Sequence, residues 1–112
     1  MRHALLVASH FEPGSALHDI ALLHDVLEDD LATESELRKW GYSEYVIDTV
    51  VELTRAPAQT YADYIAGITS IDAIRVKLAD IMENLARPLP KGSLASRYAK
   101  AYRVLSYRLE EL

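Results

Sequence analysis

The sequence predicts an all-α domain, a compact bundle of about six to seven helices. Apolar residues recur at three- and four-residue steps almost throughout. Strict apolar–polar alternation is rare, and helix-capping residues punctuate the pattern.

The first helix covers about Arg2–Phe11 and is stopped by Pro13-Gly14. The second runs from about Ala16 to Glu28, with Ser15 as N-cap. Thr33 followed by Glu36 reads as a capping box for a short helix near Glu34–Trp40, which Gly41 ends with a positive φ. Ser43 caps a fourth helix to about Thr54, and Pro57 prevents its continuation. Thr60 with Asp63 is a second capping box, opening a helix to about Ile68. Ser70 caps the next helix through roughly Ala86. Pro88, Pro90 and Gly92 make a loop, and Ser93 starts a last long helix to the C-terminus.

The totals bound what such a bundle does. The 112 residues fit one domain, spanning 1–112, and half of them are hydrophobic, enough for one modest core. Seventeen acids against 12 Lys and Arg give a net charge of −5, which argues against nucleic acid as partner. There is no cysteine, which excludes disulfides and thiolate metal sites and suits a reducing cytoplasm. No apolar run approaches the roughly 20 residues that span a bilayer, so no membrane partner is expected.

The most informative stretch is His24-Asp25-Val26-Leu27-Glu28-Asp29-Asp30. Helical spacing buries Leu17, Ile20, Ala21, Leu23 and Leu27, and puts His24 at the border of that face. Glu28 then lies one turn above His24, and Asp29 one turn above Asp25. Four carboxylates at a helix C-terminus oppose the macrodipole and one another, a cost of about 1–3 kcal/mol. Such a conflict points to a bound cation or a functional site. The alternatives are a solvated acidic end and a core histidine with one hydrogen bond.

A second patch lies on the helix after Ser70. Ile71, Ile74, Leu78, Ile81 and Leu85 form a core stripe, and Lys77, Asp80, Asn84 and Arg87 a polar stripe beside it. Asp80 sits between Ala79 and Ile81, close to the buried edge, where a carboxylate needs a cation or several donors. The plainer reading is a Lys77–Asp80 surface pair. His3 shares a face with Leu6, Val7 and His10, and alone carries no signal. His10 and His18 read as surface or loop positions without a role.

Taken together, these segments resemble the HD-domain phosphohydrolases, and among them the SpoT-like and small alarmone hydrolases. Ala21-Leu22-Leu23-His24-Asp25-Val26-Leu27-Glu28-Asp29-Asp30 is similar to the family's His-Asp motif and the Glu-Asp pair that follows it. His3 with Leu6-Val7-Ala8 resembles its first metal histidine, and Val76-Lys77-Leu78-Ala79-Asp80 with Asn84 its last aspartate segment. Val50–Arg55 and Tyr61–Ile65 look like the middle of the small relatives.

The resemblance implies one divalent metal held by His3, His24, Asp25 and Asp80. Mn²⁺ is the expected ion, with Fe²⁺, Co²⁺, Ni²⁺ and Zn²⁺ as the other candidates. It implies that Glu28 and Asp29 orient and deprotonate water, and that Lys77, Asn84, Arg87, Arg97 and Tyr102 contact the substrate. The implied reaction is hydrolysis of the 3′-pyrophosphate of (p)ppGpp to GDP or GTP plus pyrophosphate. Another phosphoester, such as a nucleoside monophosphate, and an HD-fold nucleotide- or protein-binding module without turnover stay open. The chain begins two residues before His3, so the family's extra N-terminal helix and basic loop are expected to be missing. A homodimer partner would cover that gap.

Overall fold

The computed structural model describes residues 2–87 and 92–112. Among them are seven α-helices and no strand. They are α1 (Arg2–Ala8), α2 (Ala16–Leu23), α3 (Glu34–Lys39), α4 (Glu44–Glu52), α5 (Tyr61–Ala66), α6 (Ile71–Ala86) and α7 (Ser93–Glu110). None of these helices is long and apolar enough to cross a membrane. Pro88 and Pro90, expected in a loop, lie outside the described residues; Gly92 stands before α7 with φ 101°.

The caps explain most of the helix starts. The side chains of Ser15, Ser43 and Thr60 accept from the backbone N–H groups of His18, Val46 and Asp63. Thr33 and Glu36 form a complete reciprocal capping box. Gly41 follows α3 with φ 95°, as its position after Trp40 predicts.

Ser70 departs from expectation. Its side chain does not cap α6; its hydroxyl donates to Glu52 Oε1 at 2.8 Å. Glu52 Oε2 in turn accepts from the Thr69 and Ser70 N–H groups at 2.8 and 3.0 Å. The carboxylate at the end of α4 thus does the capping and ties α4 to the start of α6.

The second helix is shorter than its periodicity predicts. α2 ends at Leu23, and residues 24–30 form successive turns. The His24 ring supplies a cause: its Nδ1–H donates to the Ala21 carbonyl at 2.6 Å and competes for the acceptor that would continue the helix. Leu31 and Ala32 N–H groups then both converge on the Val26 carbonyl, and Asp30 turns the chain with φ 55°, a region Asp tolerates. The acidic residues therefore project from turns, and the helix-end penalty expected for them does not arise.

One core unites the helices, with Val7, Ile20, Ile47, Val50, Ile74 and Ile81 fully buried. Burying one such aliphatic side chain is worth about 1.5–3 kcal/mol. On α2, Ile20, Ala21 and Leu23 are buried as predicted, while Leu17, and Leu27 in the turns that follow, are only partly so. On α6, Ile74 and Ile81 are buried, but Ile71 and Leu85 are 46% and 38% exposed. Ala73, Val76, Ala79 and Asp80 are buried instead. The cause is that α6 packs against α1, α2, α4 and α7 at once, so its covered face is wide at mid-helix and narrow at the ends. α1, α2 and α6 also pack against one another pairwise, which brings three distant stretches of sequence to one place.

Candidate metal centre

His3 comes from the first turn of α1, His24 from the C-cap of α2, and Asp80 from the middle of α6. Each offers one ligand atom, and these atoms all lie within 4.8 Å of one another. His3 Nε2 is 2.5 Å from Asp80 Oδ1, and His24 Nε2 is 3.5 Å from the same oxygen. The two imidazole rings meet edge to face at 5.7 Å. Asp25, in the turn after α2, has its Oδ2 3.2 Å from His24 Nε2 but is not one of the three residues whose ligand atoms lie mutually close.

Asp80 is divided between two sides. Its Oδ1 faces the histidines and accepts from Asn84 Nδ2 at 3.3 Å. Its Oδ2 accepts from Lys77 Nζ at 2.8 Å. The Lys77 ammonium also lies over the Tyr64 ring, 5.1 Å from its centre. Tyr64 in turn donates its O–H to the Leu53 carbonyl at 2.6 Å. Lys77 is thus an anchor for Asp80 before it is anything for a ligand.

The electrostatics follow from this crowding. Burial opposes charge on Asp80, but His24, His3 and Lys77 outweigh it and hold the carboxyl well below the usual range. Burial likewise opposes a charge on Lys77, and Asp80 overrides it and keeps the ammonium charged. For His24, burial lowers the pKa, yet Asp25 and Asp80 raise it from 6.5 to about 10. Asp25 shows the mirror effect: burial pushes its carboxyl up, and His24 brings it below the ordinary value.

A divalent cation fits this donor set. Because the Ala21 carbonyl only accepts, His24 Nδ1 carries a proton, and Nε2 is the nitrogen turned to the carboxylates. That Nε2 is buried and has no hydrogen-bond partner of good geometry, as is Nδ1 of His3. A buried polar atom without a partner calls for an explanation, and an ion between Nε2 and Asp80 supplies one. Two imidazoles and one carboxylate, with the Asp25 carboxylate beside His24, suit a first-row divalent metal. The Ala21 carbonyl on His24 and Lys77 on Asp80 are the outer partners that orient such ligands.

The cluster opens into a pocket of about 350 Å³. Of the residues singled out in the sequence, His3, Asp25, Glu28, Lys77, Asp80, Asn84, Arg87 and Arg97 line it. Glu28 accepts the Arg55 backbone N–H at 2.8 Å. Asp29 is exposed and is not part of the wall. Tyr102 is packed against the core, and Tyr98, one turn earlier on α7, lines the pocket. Outside the pocket, His10 pairs with Glu83 at 2.7 Å, joining the turn after α1 to α6.

Sequence reasoning gave no site role to Arg55, Tyr61, Tyr64 and Tyr98, which all line the pocket. Arg97 and Arg55 lie 4.2 and 5.8 Å from the centre of the Tyr61 ring, so the phenol is flanked by two guanidinium groups. Tyrosines at helical spacing read as core in a sequence. The available signal was the number of them, seven in a chain with one Phe and one Trp. No protein-family model matches this chain, and no curated protein matches it.

Proposed function

We propose that this chain is a metal-dependent phosphohydrolase of the HD type acting on a nucleotide, most directly on the 3′-pyrophosphate of (p)ppGpp. One observation carries the reading: His3, His24 and Asp80, from three separate helices, converge beside a pocket walled by Arg55, Lys77, Arg87 and Arg97. In the proposed reaction His3, His24, Asp25 and Asp80 hold one divalent ion, Mn²⁺ first among candidates. When bound, such an ion lowers the pKa of water and polarises a phosphoryl oxygen.

The chain's own residues supply the rest. Lys77 neutralises Asp80 and fixes its rotamer, so that Oδ1 stays turned to the histidines. Arg55, Arg87 and Arg97 offer positive charge to the substrate phosphates in a partly enclosed pocket. Glu28 stands in the wall, one oxygen holding the Arg55 N–H, and takes a proton from the attacking water. Asn84 presents an amide to the substrate as well as to Asp80. The reaction belongs in the cytoplasm and needs neither nucleic acid nor a membrane; a homodimer is compatible with it.

The test is incubation of Mn²⁺-loaded protein with a nucleotide panel, followed by separate assays of pyrophosphate and orthophosphate. The expected result is pyrophosphate from (p)ppGpp. Orthophosphate from a nucleoside monophosphate redirects the reading to another phosphoester. Absence of turnover on every member, with metal bound, contradicts hydrolysis. A second reading, a nucleotide- or protein-binding module without turnover, is favoured by one observation: Asp29 stands outside the pocket and Glu28 is engaged with backbone. Turnover by wild type separates the two, and Glu28→Ala combined with Asp29→Ala is then expected to abolish it at unchanged metal content.

A further inference from the structure

A second cavity adjoins the first. It is about 270 Å³, lies between α5 and α7, and shares Tyr61 and Arg97 with the metal pocket. Its existence follows from small side chains: Ala62 and Ala66 on α5 face Ala101 and Val104 on α7, and alanines leave a cleft where larger residues would close one. The floor is apolar, and Arg97, Lys100 and Arg108 stand along it. From Arg97 to Arg108 the groove follows α7 for eleven residues, about 16 Å at the helical rise.

The two cavities differ in chemistry in a way that matches the two ends of one molecule. The metal pocket is lined almost wholly by charged and phenolic groups, which suit phosphate and leave less apolar surface for a ring system than the groove does. The groove offers that surface, with cations beside it. Small-molecule sites occupy roughly 300–1,000 Å³, a range within which the two adjoining cavities together fall.

We infer that the α5/α7 groove is the subsite for the nucleoside part of the substrate, whose phosphate lies at the metal cluster. The inference rests on the hydrolase reading and names where its specificity is held. The Tyr61–Arg97 pair forms the wall common to both parts: Arg97 faces the phosphates from one side and the nucleoside from the other. Lys100 is exposed on the far side of Arg97 and provides a cation for an anionic substituent at the nucleoside's other end. Arg108 is committed elsewhere, donating to the Ile65 carbonyl in the last turn of α5 and to the Ile68 carbonyl just beyond it.

Filling the groove from its exposed side tests this without touching the core. Ala62 and Ala66 are both exposed, so Ala62→Leu and Ala66→Leu add volume to the cleft at positions where leucine is a good helix former. Binding of inorganic pyrophosphate and of GDP to the Mn²⁺-loaded protein is measured by calorimetry, with melting temperature as a folding control. Wild type is expected to bind GDP more tightly than pyrophosphate. Each leucine should weaken GDP binding about 10-fold or more, and leave pyrophosphate binding unchanged. Equal GDP affinity in wild type and both variants overturns the groove assignment and leaves the hydrolase reading standing. Failure of wild type to bind pyrophosphate at all overturns both.

Discussion

At the residue scale, the site depends on a few buried charged groups that hold one another in place. Lys77 and Asp80 form a pair with side chains 12% and 6% exposed. Removing one member of such a pair strands the other charge. Lys77→Met is expected to destabilise the metal-free protein by about 2–3 kcal/mol, below the cost of an isolated pair because His3 and Asn84 still serve Asp80. Chemical denaturation measures this, and an unchanged midpoint would show that Lys77 is not the anchor described. Tyr64 gives the pH dependence. Burial raises its phenol to about 12 in the folded state, above the unfolded value near 10. A folded-state pKa that is raised favours folding at low pH. The stability it supplies is complete below about pH 10 and is lost as pH rises through about 12. Comparing denaturation of wild type and Tyr64→Phe across that window should show a gap that narrows as pH rises. A constant gap would mean that the Tyr64 hydroxyl does not carry it. Below the window the variant costs about 1–2 kcal/mol, because the Leu53 carbonyl loses its donor.

At the element scale, helix starts were legible in the sequence and helix ends less so, that of α2 least of all. Ser15, Thr33, Ser43 and Thr60 announce their helices because a short side-chain oxygen next to an apolar-periodic run has few other uses. Thr33→Ala should cost about 1 kcal/mol, since the Glu36 N–H loses its side-chain acceptor while the backbone N–H of residue 33 keeps the Glu36 carboxylate. Ser70 looked the same in sequence, yet its hydroxyl is turned to Glu52, a residue 18 positions away. Glu52→Ala is therefore expected to destabilise more than Ser70→Ala, by about 1–2 kcal/mol, since three donors lose their acceptor. Equal effects would return the capping role to Ser70. The end of α2 was hidden for a different reason. Apolar periodicity continues through Leu27, and only the His24–Ala21 hydrogen bond reveals why the helix stops at Leu23.

At the scale of the whole molecule, the bundle's contribution is to bring residues 3, 24 and 80 together by packing α1, α2 and α6. His24 and Asp80 were legible as polar residues bordering apolar stripes, whereas His3 carried no signal alone and entered only through the resemblance to a known family. The width of the buried face on α6 was not, since it depends on four neighbouring helices and leaves Ile71 and Leu85 partly in solvent. The tyrosine-rich pocket wall was equally hidden, because Tyr61 and Tyr98 approach each other only after α5 and α7 have folded side by side. A metal that binds only the folded bundle stabilises it. Free Mn²⁺ at about 100 times its Kd adds about 2.7 kcal/mol, a rise of several degrees in melting temperature.

The most direct test is the metal content of the protein after Mn²⁺ loading and removal of free ion, measured beside Asp80→Asn. One divalent ion per chain in wild type, lost in the variant while both remain helical, is the predicted result. A wild-type chain that retains no ion would contradict the convergence of His3, His24 and Asp80 as a metal centre, and the proposed reaction with it.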